Sequence, residues 1–333
     1  MINTQHLSVA NAINAVLIVL SAVVAYWFPF ELFLFAYGVL GPIHYFTEIN
    51  WLHRKDYFLQ KTDKQVFLWI MVAVMVLFTW YNFSFITGFD GKAFSDFFKS
   101  YSRGIILSTV VLATLLVWPK LNAERRVLYL AASVVLLMVI QTWAVIGTIA
   151  LMLPTLIHVS LFTWLFMVQG AIRNPLWHNY AVAGIYLIVG FVLLAIPPIS
   201  NSISQFFQAS WTESRMEGIN TTAQTLFGID KKNADVFSNL GLRIQGFIAF
   251  AYTYHYLNWF SKVEVIKWHK ELTTRKLVII VLLSIVSIGL YIYSYSVGVM
   301  VLLAVSLLHV LLELPLNIIT IKQVFGTLKT RLK

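Results

Sequence analysis

Four histidines lie inside apolar segments of membrane length, and two of them are followed four residues later by a glutamate. They are His44 with Glu48, His158, His255, and His309 with Glu313. An ionisable side chain at membrane depth costs roughly 2.5–3.5 kcal/mol on insertion scales. A chain that keeps six of them has a use for them. Imidazole and carboxylate are the usual ligands of catalytic iron and zinc, so the four histidines read as candidate metal ligands. Residues four apart share a helix face, which sets each glutamate beside its histidine as a candidate catalytic group. There it either ligates the metal or accepts the second ring N–H of a ligand histidine and fixes its tautomer; the sequence leaves both roles open. Such pairs on bundle helices match carboxylate-bridged di-metal sites, whereas four histidines without a bridging carboxylate suit a single iron. A lone histidine in a span is usually a satisfied polar contact, so the joint pattern carries the reading and no single residue does. His53, His178 and His269 fall near the basic ends of segments and His6 is terminal; all four stay outside the candidate set.

The stretch from Phe250 to Phe260 is the most aromatic near a candidate ligand. Tyr252, Tyr254 and Trp259 within it are candidate substrate contacts, an aromatic wall for a long apolar or polyene molecule. An interfacial aromatic belt explains Trp259 equally well and Tyr252 less well. Asn258 and Asn317 are candidate hydrogen-bonding groups behind the ligands.

The elements that must hold these residues are membrane helices. The chain has 333 residues, 59% hydrophobic and only 11% charged, against about 25% charged in soluble proteins. A helix needs about 20 apolar residues to cross a bilayer, and about ten segments qualify: 7–28, 31–53, 65–87, 104–118, 127–147, 152–171, 178–197, 241–260, 277–296 and 298–320. The expected fold is all-α, one integral membrane domain over 1–333, with a polar outer-face loop at about 199–240 containing short amphipathic pieces. The fifth and sixth segments form one apolar run, and the expected break falls between Gly147 and Pro154. The opening residues lack the basic region of a cleavable signal peptide, so the first segment is expected to remain as a span. With both termini in the cytoplasm, 17 of the 24 lysines and arginines fall on the inner side, as the positive-inside rule requires. The net charge of +10 is thereby explained without nucleic acid. In this arrangement the four histidine-bearing segments all run inward, which lets their histidines share one depth. His158 is the shallowest by residue count.

Absences narrow the chemistry. There is no cysteine, which excludes disulfides, iron–sulfur clusters and thiolate-bound zinc or haem. No two histidines are close enough for the H-x(3–4)-H boxes of membrane desaturases, and no H-E-x-x-H zinc-protease motif, Walker loop or dinucleotide fingerprint occurs. Haem held by two histidines on facing spans stays open.

The order and surroundings of the histidines resemble the Brp/Blh family of membrane carotenoid oxygenases. The carrying residues are Gly41-Pro42-Ile43-His44-Tyr45-Phe46-Thr47-Glu48, Leu156-Ile157-His158, Tyr254-His255, and His309-Val310-Leu311-Leu312-Glu313. Family members carry Pro-His-Gly at the first motif and aspartates in place of Glu48 and Glu313, of which Glu313 stands one residue closer to its histidine. Here Ile43 is inserted, Tyr45 replaces the glycine, and Trp259 stands about where the family has a further histidine. The resemblance implies a multi-span bundle in a bacterial inner membrane that uses non-haem Fe(2+) and O2 to cleave a carotenoid such as β-carotene to retinal, with His44, His158, His255 and His309 as ligands. It bears more on a shared metal centre than on a shared substrate.

The leading expectation is an iron oxygenase acting on a carotenoid or isoprenoid-like substrate drawn from membrane lipid, with zinc or a di-metal centre as alternatives to iron. The competing readings are a metal-ion or proton transporter built on the same cluster, and a scaffold with structural histidines. A transporter requires a polar route to both faces, and few polar residues line the outer halves of the histidine-bearing segments.

Overall fold

The computed structural model describes residues 4–87, 91–118, 121–214 and 216–331. Twelve helices longer than a single turn form among them. They are α1 (Thr4–Trp27), α2 (Pro29–Arg54), α3 (Lys64–Thr87), α4 (Lys92–Val117), α5 (Ala123–Ile140), α6 (Ala144–Arg173), α7 (Trp177–Ala195), α8 (Gln205–Ser214), α9 (Glu217–Gln224), α10 (Asn239–Ser261), α11 (Thr274–Tyr293) and α12 (Tyr295–Arg331). Eight of them, α1 to α4, α6, α7, α11 and α12, are long and apolar enough to cross a membrane. Their number, length and apolar composition fit a polytopic helical membrane protein.

The remaining two expected spans form helices of a different character. The first turn of α5 carries Glu124, Arg125 and Arg126. α10 carries Arg243, Gln245, Asn258 and His255 and is buried along most of its length. It packs against α1, α2, α7 and α9. A helix enclosed by protein need not be apolar, because its polar groups meet other helices rather than lipid. The lipid-facing surface is the reverse: Val19, Leu20 and Val23 of α1 and Leu282, Ile285 and Val286 of α11 are exposed.

The expected break between Gly147 and Pro154 is displaced. The chain turns at Gln141–Trp143, where Gln141 donates to the Met138 carbonyl and accepts from the Gly104 amide. Pro154 instead sits inside α6 and opens a π-helical stretch, Leu153–Phe162, that contains His158. Proline lacks the N–H needed for the regular ladder, and a widened turn absorbs the defect. A second π-helical turn, Ala36–Leu40, precedes Pro42 in α2. Both widened turns lie just N-terminal to or around a candidate ligand, a common place for such bulges.

The region 199–240 is polar and contains α8, α9 and two single 3₁₀ turns. It is not a detached loop. Trp211 of α8 packs edge-on against Phe30, and Asn220 of α9 donates to the Gly241 carbonyl at the start of α10. At the opposite end of the bundle, Lys64 and Arg126 pin the 55–63 connection through Asp56 (2.6 Å) and Asp63 (2.8 Å). The Lys64 ammonium holds the Asp56 carboxyl below the usual aspartate range. Asp56, Tyr57 and Phe58 all have positive φ between 52° and 60°, and this left-handed turn leads into the mouth of the cavity described below.

Candidate metal centre

His44, His158, His255 and His309 stand 15, 14, 16 and 14 residues after the first residues of α2, α6, α10 and α12. At about 1.5 Å per residue these counts agree within about 3 Å of depth. His158 is thus level with the others. It looks shallow in the sequence only because α6 begins at Ala144, not at 152. The four rings meet. Their centroids lie 4.7 Å apart for His44–His255, 5.3 Å for His44–His309, 4.9 Å for His158–His255 and 5.1 Å for His158–His309. Ligand nitrogens of His44, His255 and His309 all fall within 4.8 Å of one another.

Both carboxylates join this cluster. Glu48 Oε2 lies 3.0 Å from His44 Nε2, and the same nitrogen lies 3.1 Å from His255 Nε2. One ring N–H cannot serve both neighbours well; a cation shared by the three atoms can. Glu313 Oε2 lies 3.2 Å from Nδ1 of His158 on α6, so its partner is across the bundle and not the histidine one turn before it. All six residues are at most 8% exposed. Several of their atoms have no hydrogen-bond partner among the described residues: both ring nitrogens of His158 and His309, Nδ1 of His44, and one oxygen of each glutamate. Buried polar atoms are almost always paired. The two glutamates pair with histidines, Glu48 with His44 and Glu313 with His158. With a metal bound and both carboxylates ionised, the two glutamates among four neutral imidazoles would carry a charge of about −2, which one divalent cation would cancel. The donor set therefore fits a divalent metal, and its compactness fits one ion.

Supporting residues orient the rings. Thr163 Oγ1, one turn beyond His158, lies 2.7 Å from His255 Nδ1, the kind of outer contact that fixes an imidazole tautomer. Tyr45 stacks on His309 at 4.5 Å and shares a 2.5 Å hydrogen bond with Tyr256. Trp259 packs edge-on against His44 and donates Nε1–H to Thr47 Oγ1 at 3.0 Å. Replacing Glu48 or Glu313 with glutamine is expected to weaken metal binding by about 10–100-fold while the fold persists. Titration of the purified variants with a chelator of known affinity measures this, and an unchanged affinity in both would show the carboxylates to be bystanders.

A cavity of about 630 Å³ ends at the cluster. Its floor includes His44, His255, Glu48 and Glu313. Its walls are the C-terminal halves of α2, α6, α10 and α12 together with Ala10, Asn11 and Asn14 of α1 and Asn179 and Val182 of α7. This convergence requires the four histidine-bearing helices to run in parallel, with α1 and α7 antiparallel to them. On the other side of the histidine plane the bundle is packed shut by Phe33, Tyr37 and Tyr252, all buried.

The three aromatic candidates separate. Trp259 lines the cavity. Tyr252 does not; it packs between Phe33 and Tyr37 in the closed half. Tyr254 points away from the site, stacks near Tyr186 and Phe250, and donates to Asn14 Oδ1 at 3.2 Å. Successive residues on a helix project about 100° apart, so one aromatic stretch cannot present every ring to one space. Asn258 lines the cavity, and Asn317 is buried one turn past Glu313. The residues missed from the sequence are Tyr45, Tyr256 and Thr163. A signal existed for two: both His44 and His255 are immediately followed by tyrosine.

No protein-family profile, curated protein or solved structure matches this chain. The reading of the site rests on its own geometry.

Proposed function

We propose that the protein is an integral membrane non-haem iron oxygenase acting on a lipophilic substrate of carotenoid or isoprenoid type. The observation that carries this is the one-sided cavity. It leads from one end of the bundle to the histidine–glutamate cluster and stops there. A transporter needs a route onward to the far face, and packed aromatic residues fill that direction. A dead-end cavity of this size, with apolar side chains in its walls and polar groups at its floor and along its open half, has the form of a small-molecule site. The order of the motifs, resembling that of the Brp/Blh oxygenases, supports the same reading.

His44, His158, His255 and His309 would hold the ion, with Glu48 and Glu313 balancing its charge. Four imidazole donors would leave iron, which takes up to six ligands, with open positions for O2, whereas they would already fill the four-coordinate preference of zinc. Ferrous iron supplies the oxygen chemistry when bound, and the protein supplies ligands, orientation and dryness. Thr163 and the Tyr45–Tyr256 pair fix the imidazole planes. Trp259, Met167 and Phe166 give the cavity apolar walls, which favour a hydrocarbon chain and keep water from the centre.

Purified protein loaded anaerobically with ferrous iron is expected to bind nitric oxide, a stand-in for O2, with a characteristic paramagnetic signal. Supplied with air and a panel of carotenoids and isoprenoids, it is expected to take up oxygen as one substrate disappears. Turnover with zinc alone, or metal flux across liposomes in place of oxygen uptake, would overturn the proposal.

A further inference from the structure

The cavity is not lined as a pure hydrocarbon would require. Its deeper walls mix Trp259, Met167 and Phe166 with Thr163 and Asn258, and Lys262 and Arg173 stand along its open half, accompanied by the amides of Asn11, Asn174 and Gln323. Its two acidic residues, Glu48 and Glu313, are engaged with histidines at the floor. Arg173 is exposed at the rim and donates to Gln323 Oε1 at 2.8 Å. Lys262 caps α10 and has no hydrogen-bond or ion-pair partner among the described residues. It is half-buried by surface, and desolvation among the packed helices lowers its ammonium to about 8. A recessed cation without a counter-ion gains more from an anion than a fully solvated one does. Lys262 follows His255 by seven residues of α10, which places it about 10 Å along the helix from the ligand plane.

We propose that the cavity admits a single-chain amphiphile with an anionic head, carboxylate or phosphate, whose head is held at Lys262 while its chain runs inward to the metal centre. This rests on the oxygenase reading and narrows its substrate from a plain hydrocarbon to a chain with one charged end. Arg173 at the rim attracts the head to the mouth, and Lys262 receives it. The distance between Lys262 and the histidines then fixes which part of the chain lies at the metal.

The test uses the purified full-length protein in neutral detergent. Quenching of the cavity tryptophans Trp51 and Trp259 reads the binding of three matched probes: palmitate, hexadecyl phosphate and hexadecanol. Inorganic phosphate is the chain-free control. The wild type is expected to bind both anionic probes about tenfold or more tighter than the alcohol, the scale of one charge-assisted hydrogen bond. Lys262→Met should erase that preference, Lys262→Arg should keep it, and metal content should be unchanged in both. Equal binding of acid and alcohol by the wild type, or a preference that survives Lys262→Met, overturns the proposal. Inorganic phosphate displacing palmitate at similar concentration also overturns it, since the site would then hold a free anion. The two readings fail separately. Protein that binds no metal yet prefers anionic heads removes the oxygenase and keeps the amphiphile site; oxygen uptake without a head-group preference does the reverse.

Discussion

Alanine at any one of His44, His158, His255 or His309 is expected to lower metal affinity by more than about 100-fold, beyond the 10–100-fold typical of outer-shell changes, and to abolish oxygen uptake. The four side chains come from four different helices and meet within one shell. Each removal leaves the buried glutamates beside an incomplete donor set. The loss should also appear in stability, because an ion that binds only the folded protein stabilises it, by about 4 kcal/mol at a thousand times its dissociation constant. Chelation of the wild type should therefore lower its melting temperature in detergent, and the alanine variants should melt near the chelated wild type with or without added metal. His269→Ala, altered outside the cluster, should match the wild type in both respects. Elemental analysis of detergent-purified variants and thermal melts check the result. Full metal content in any two of the four variants would dissolve the single-centre reading.

The candidate ligands were legible because the membrane makes polar residues conspicuous. Six ionisable groups among apolar segments stand out in a chain that is 11% charged, and alternating spans force the even-numbered ones into one direction. Depth was legible only where the helix start was. His158 looked shallow because the proline at 154 reads as a boundary, whereas the fold keeps the helix going by widening its turns. Proline removes one hydrogen bond, and whether the chain breaks or bulges depends on the packing around it, which a single sequence does not display. The partner of Glu313 shows the same limit. Spacing puts it beside His309, but its carboxylate meets His158, because helix rotation is set by neighbouring helices. The cavity was the least legible part. Asn11, Asn14 and Asn179 lie in segments that carry no candidate ligand, and only the antiparallel docking of α1 and α7 brings them to it. Aromatic density near His255 was a sound pointer to the region and a poor one to individual rings, since Trp259 faces the cavity while Tyr252 and Tyr254 face other helices.

Closing the cavity without touching the metal separates access from ligation. Gly170 of α6 lines it, and a Cβ built there meets no atom within 4 Å. Gly170→Trp therefore adds a large side chain where there is open space. The backbone is helical at this position, so replacing glycine carries no conformational penalty and removes the roughly 0.5–1 kcal/mol that glycine costs a helix. The indole is expected to occupy the route between the mouth and the histidines. Turnover should fall about 100-fold or more, equivalent to about 2.7 kcal/mol in the barrier from free enzyme and substrate. Metal content and the nitric oxide signal should persist, because nitric oxide is small enough to pass where a long chain is not. Gly289→Trp is the matched control. Both glycines are exposed and a Cβ at Gly289 also meets nothing within 4 Å, but Gly289 lies on α11 outside the cavity lining, so turnover there should be unchanged. Oxygen uptake at the wild-type rate by Gly170→Trp would mean that substrate reaches the centre another way, between helices from the lipid, and the cavity would lose its role as the entrance.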